Sequence, residues 1–206
     1  MRWSIKISDD DIKIDIGAWS ISVMIETQLF QHKVALPEYV SACVDVKKFI
    51  KFCSACPEYG NNWSCPPFNF SPYKIWQSYK SILLYGKKII LGEELTSERY
   101  EADELNAVVY KIYTPVKHFI AEKLQEMEIE YPDSMALFAG KCDGCETCNR
   151  PTGQACIKPE LMRHSIEGLG GDVEKTLKLY FGESLAWPSS DRLPQHLLLI
   201  GGLLLK

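Results

Sequence analysis

Apolar and polar side chains alternate through residues 3 to 36, as in Ile12, Ile14 and Ile16 and then Trp19, Ile21, Val23 and Ile25. A period of two belongs to half-buried strands, so this stretch reads as two or three antiparallel strands. At Pro37 the period changes. Val40, Val44, Val46, Phe49, Ile50 and Phe52 suit short helices that end before Cys53, with Asp45 placed as an N-cap. From Pro57 to Pro72 the chain holds four prolines, one glycine and three asparagines, the composition of a rigid loop. Strand character returns over Tyr79 to Leu91, where Gly86 marks a turn or bulge.

The strongest helical pattern runs from about Ser97 to Glu130, with Leu105, Val108, Ile112, Val116, Phe119, Ile120 and Leu124 at three- and four-residue steps. Pro115 lies inside it, and because the stripe stays in phase a kink is expected rather than a break. Met135 to Ala139 reads as a short strand. Pro159 to Leu169 and Asp172 to Phe181 read as helices punctuated by glycines, and Leu197 to Leu205 as a buried closing strand. Strands grouped with several helices predict an α+β fold, mainly antiparallel, in a single domain spanning residues 1–206.

Composition narrows the function. With 46% hydrophobic and 24% charged residues, the 206-residue chain can bury one good core. A formal charge of −4 offers no positive field for phosphates, so neither nucleic acid nor an anionic membrane is an expected partner. The first residues contain no apolar stretch of signal-peptide length, and Leu197 to Leu205 is too short to span a bilayer, so a cytoplasmic location is expected.

Eight cysteines carry the candidate chemistry. Cys53, Cys56 and Cys65 form C-x2-C-x8-C, and Cys142, Cys145, Cys148 and Cys156 form C-x2-C-x2-C-x7-C. In a reducing cytosol such clusters read as metal ligands. An overlapping C-x2-C-x2-C loop lets three thiolates converge on a cubane [4Fe-4S] cluster, with Cys156 the nearest candidate for the fourth iron. Gly140 and Gly144 would bend this loop and aim N–H groups at sulfur. Zinc is the alternative metal, since it also takes four thiolates. The first run supplies three thiolates, leaving a fourth position to Cys43, to Cys156, or to water or substrate. Cys43 is better read as a buried small hydrophobe and is left out of the ligand set.

Residues 53 to 68, CSACPEYGNNWSCPPF, together with the CxxCxxC run that follows Gly140-Lys141 and the later Cys156, Pro159-Glu160, Arg163, Ser165, Glu167-Gly168, Gly170 and Leu193-Pro194, resemble the pattern of an uncharacterised, cysteine-rich family of predicted metal-binding proteins. That family is found in anaerobic bacteria and archaea, and the resemblance spans roughly residues 28 to 205. It implies metal binding at Cys53, Cys56, Cys65, Cys142, Cys145, Cys148 and Cys156.

Several neighbours have two readings each. Tyr59, Trp63 and Phe68 either shield a cluster or cap a core edge, the latter being commoner for aromatics in such a loop. Lys141 and Arg150 bracket the second run and would offset thiolate charge. Arg163 and His164 fall on the expected helix, where a surface salt bridge is the plainer role for His164. Gly168, Gly170 and Gly171 do not fit a dinucleotide loop and read as helix caps. Phosphate-binding loops, the G-x-S-x-G elbow and the radical C-x3-C-x2-C spacing are absent. The leading expectation is an iron-sulfur protein of anaerobic metabolism that stores or passes electrons to a redox partner protein, holding one or two [4Fe-4S] clusters. The alternatives are an enzyme with an open metal position at Cys53, Cys56 and Cys65, and a zinc-stabilised interaction module.

Overall fold

The hairpin expected at the start of the chain is present in the computed structural model, which describes residues 11–15 and 22–206. Strand β1 (Asp11–Asp15) pairs antiparallel with β2 (Ser22–Ala35). A third early strand would fall before residue 11, outside the described residues. Strands β3 (Ser81–Ile90), β4 (Met135–Leu137) and β5 (His196–Leu205) complete a five-stranded sheet in the order β1-β2-β3-β5-β4, antiparallel throughout. With its helices this makes an α+β fold.

Both faces of the sheet are covered, which explains the unbroken apolar run of β5. Leu197, Leu199 and Leu203 join the core under helix α5 (Ala102–Glu130), where Ile112, Val116, Ile120 and Leu124 are all essentially buried. Leu198, Ile200 and Leu204 face the other way. There they meet Leu36, Tyr39 and Cys43 of α1 (Leu36–Cys43), Trp76 of α3 (Pro72–Gln77), and Val173 and Leu177 of α6 (Val173–Phe181). Burying a side chain such as Ile82 or Leu84, both 0% exposed, contributes about 1.5–3 kcal/mol relative to leaving it in water.

Local chemistry fixes the element ends. Asp45 caps α2 (Val46–Ser54) by accepting the Lys48 N–H at 2.9 Å, and Asp172 caps α6 through Lys175 N–H at 2.9 Å. Gly182 closes α6 in the left-handed region at φ 67°. Helix α5 continues through Pro115, as the in-phase stripe implies, but starts at Ala102; a separate turn, α4 (Glu93–Thr96), precedes it.

Three expectations are corrected. Gly86 is neither turn nor bulge: it sits mid-strand, paired with Phe30 and Ile200, where a Cβ would stand 2.3 Å from the Leu199 carbonyl oxygen and 2.5 Å from the Phe30 ring. Close approach, rather than backbone freedom, demands glycine there. Cys53 does not follow a helix end but lies in the last turn of α2. Residues 159–169 do not form a helix, because their backbone bonds elsewhere. Phe138 N–H donates to the His164 carbonyl at 2.8 Å, and just past the stretch Asp45 N–H donates to the Gly170 carbonyl at 2.8 Å. The glycines at 168, 170 and 171 therefore shape a packed turn and cap no helix.

Candidate metal centre

Two loops build the site. The first leaves α2 at Cys53 and folds on itself through short-range bonds: Cys56 N–H to the Cys53 carbonyl (3.0 Å), Cys65 N–H to the Asn62 carbonyl (3.0 Å), and Gly60 N–H to the Pro66 carbonyl (2.8 Å). The second follows β4, where Gly140 turns the chain at φ 75°, a conformation only glycine adopts without strain. Beyond it Cys142 presents its sulfur to the Gly144 N–H at 3.4 Å, the N–H···S contact expected from that glycine.

The loops lock together. Asn62 donates its side-chain amide to the Cys142 carbonyl at 2.9 Å, and Ser64 Oγ accepts the Cys142 N–H at 2.9 Å. Ser64 also lies 3.7 Å from Cys65 Sγ, so one hydroxyl touches a cysteine of each run. Arg150 reaches back across the seam, donating to the carbonyls of Asn62 (2.7 Å), Cys65, Pro66 (3.5 Å) and Pro67, with its guanidinium 5.2 Å from the Trp63 ring. Trp63 donates its indole N–H to the Gln154 carbonyl at 3.1 Å, and Lys141 pairs with Glu58 at 2.7 Å. The lysine and arginine that bracket the second run thus serve as ties between loops.

Cys142, Cys145, Cys148 and Cys156 all line one cavity of about 730 Å³, which Tyr113 and Lys117 of α5 also line. Lys117, 8% exposed, forms an ion pair with Asp143 of the cysteine loop, and Lys158 donates to the Gly144 carbonyl at 2.9 Å. In the first loop, burial pushes the Cys65 thiol up to about 11, with Glu58 and then Cys56 and Cys53 adding to the shift against the Ser64 hydrogen bond. Burial also raises Cys53, with Cys56 and Glu167 contributing, and raises Cys142, with Asp143, Cys156 and Cys145 contributing against the Gly144 hydrogen bond. Each run is therefore surrounded by its own cysteines and by the carboxylates of Glu58, Glu167 and Asp143. Thiols held protonated by burial are poor nucleophiles, and a metal cation is what would ionise them.

Among the described residues, no three His, Cys, Asp or Glu side chains are gathered tightly enough to hold a single metal ion as they stand. The donor chemistry nevertheless fits a thiophilic centre, with four thiols around one space in the second loop and three more in the first. Cys43 is 2% exposed, packed in the α1–α3–α6 core.

The remaining candidates take structural places. Arg163 lies on a turn and is bound two-pronged to Glu128 of α5, with contacts of 2.9, 2.9 and 2.7 Å. His164 makes no surface salt bridge. Its Nδ1 lies 3.0 Å from the Ser64 carbonyl, its ring packs against Phe68 and Phe70, and burial lowers its pKa from 6.5. Phe68 stacks on Phe70 at 4.8 Å and joins the core edge. Sequence reasoning missed Asn62, Ser64, Lys117 and Asp143; the local signals were the positions of Asn62 and Ser64 inside the first cysteine loop and of Asp143 inside the second.

A family model described as "Predicted metal-binding protein (DUF2284)" matches residues 40–205. The chain belongs to this family. The matched span holds both cysteine loops and also includes Cys43. No curated protein and no solved structure matches the chain. Metal binding is thus the family's common description. Among the described residues, no helix is long and apolar enough to cross a membrane.

Proposed function

We propose that this protein is an iron-sulfur protein that stores or passes electrons, with Cys142, Cys145, Cys148 and Cys156 holding one [4Fe-4S] cluster and Cys53, Cys56 and Cys65 a second metal site. The observation that carries this reading is the cavity shared by all four thiols of the second loop. Thiols arranged around a space suit a cluster, whose irons are spread over the corners of a cube, better than one ion at about 2.3 Å from each sulfur. Once bound, such a cluster supplies a one-electron couple.

The chain's own residues would set the environment of that couple. The Gly144 N–H directed at Cys142 Sγ and the cations of Lys117 and Lys158 near the loop favour added negative charge. Four protein thiols leave no open position at this site, which supports electron transfer over substrate activation there. With Cys43 in the core and Cys156 beside Cys142, the fourth position of the first site falls to a ligand other than cysteine. The half-exposed cysteines of the second loop give a redox partner protein a short approach, and we place the reaction in the cytoplasm of an anaerobically growing cell.

Anaerobic reduction with dithionite, followed by visible and low-temperature paramagnetic resonance spectroscopy, tests the reading. Bleaching of a broad visible band with the appearance of a paramagnetic signal is expected. A protein without visible absorbance, or with none that responds to reductant, overturns it.

A further inference from the structure

A second large space, about 760 Å³, opens between α2, α5, α6 and β5. Its floor is apolar, formed by Ala139 and the Leu197–Ile200 stretch of β5, and at its rim stand Phe52, Tyr110 and Trp187, exposed at 60%, 70% and 76%. Three large aromatics left in water around one hollow are unlike scattered surface apolars, which need no explanation. Glu167 borders the same hollow, and its Oε2 is shut off from water with no hydrogen-bond partner. A buried polar atom without a partner costs free energy, and native structures rarely keep one without a use.

We infer that this hollow binds a flat, largely uncharged aromatic or heteroaromatic molecule whose hydrogen-bond acceptor, a carbonyl oxygen or ring nitrogen, pairs with the Glu167 carboxyl. The aromatic rim supplies stacking surface, the leucine floor excludes water, and the Glu167 carboxyl fixes orientation, while Lys48 and Asp172, which also line the hollow, pair with each other and Glu174 pairs with Lys178. The soft terminal torsion of a glutamate lets the carboxyl turn its free oxygen toward a molecule in the hollow. Burial raises the Glu167 pKa, which favours the protonated carboxyl that can donate. Tyr110 and Tyr113 line both this hollow and the thiol cavity, so the bound molecule would sit one side chain away from the candidate metal centre. The inference goes beyond the electron-transfer reading and does not depend on which metal is present.

Equilibrium dialysis of the full, as-isolated chain with quinolin-2-one and with naphthalene tests it, the two probes sharing a shape but not the polar group. Saturable binding with a preference of at least about tenfold for quinolin-2-one is expected, the discrimination a satisfied buried polar group gives. Glu167→Leu should remove the preference and keep naphthalene binding. Val109→Trp, which fills the hollow from α5, should abolish binding of both probes with metal content unchanged. Absence of saturable binding, equal affinity of the wild-type chain for both probes, or binding that survives Val109→Trp overturns the inference. The wild-type comparison decides the matter even if a variant fails to fold.

Discussion

The hydroxyl of Ser64 accepts the backbone N–H of Cys142 at 2.9 Å, joining two cysteine runs that lie far apart in the chain. The same hydroxyl donates to Asn62 Oδ1 at 2.8 Å, and Asn62 in turn holds the Cys142 carbonyl. This small buried network sets where the second loop begins relative to the first. Ser64→Ala leaves the Cys142 N–H unpaired and should cost about 1–3 kcal/mol, read as a lower urea midpoint at unchanged m-value. The same variant should lose metal to a chelator faster than wild type.

Arg150 offers a test of planar geometry against charge. Its guanidinium meets four carbonyls of the first loop and lies over Trp63, a fork that an ammonium cannot copy. Arg150→Lys keeps the charge, yet amide hydrogen exchange should quicken in both cysteine loops and stay unchanged in α5. Equal protection of the loops in variant and wild type would show that charge alone ties them.

His164 gives the fold a pH dependence whose sign follows from its lowered pKa. Burial against Phe68 and Phe70 favours the neutral ring, so below 6.5 the unfolded chain binds a proton that the folded chain resists. Stability is full above that value and is lost as pH falls through the folded pKa. In urea titrations at pH 7.5 and pH 5.5, His164→Gln should lose less stability on acidification than wild type. An identical loss in both proteins would assign the effect to other groups.

Gly86 tests packing in the sheet. A methyl at this position meets the Leu199 carbonyl at 2.3 Å and the Phe30 ring at 2.5 Å, with rigid backbone on one side. Gly86→Ala should destabilise by about 1–3 kcal/mol, the ordinary range for overpacking, although alanine is the better strand former. A thermal melt equal to wild type would show that β2, β3 and β5 can part without cost.

What the sequence revealed divides by range. The alternation before Pro37, the stripe of α5 through Pro115 and the Asp45 cap are all set within a few residues, and each appears in the structure as its pattern implies. Residues 159–169 carry apolar positions at helical spacing, but Phe138 claims the His164 carbonyl in the middle of the stretch and tertiary structure overrides the local pattern. Gly86 was misread because its reason lies across the sheet in Leu199 and Phe30. The grouping of thiols was legible in cysteine spacing. Their seam was not, since Asn62, Ser64 and Arg150 act on partners roughly eighty residues distant. The aromatic hollow left no linear signature.

Iron, zinc and acid-labile sulfide per chain, measured on anaerobically purified wild type beside Cys145→Ser and Cys43→Ser, test the central claim most directly. Wild type should carry iron and sulfide in equal amounts, about four or about eight of each, according to whether one or both sites hold a cubane. Cys145→Ser should lose most of one cluster's iron and visible absorbance, while Cys43→Ser, altered only in the core, should retain both. Zinc without sulfide, or loss of iron from Cys43→Ser with Cys145→Ser intact, would contradict the account.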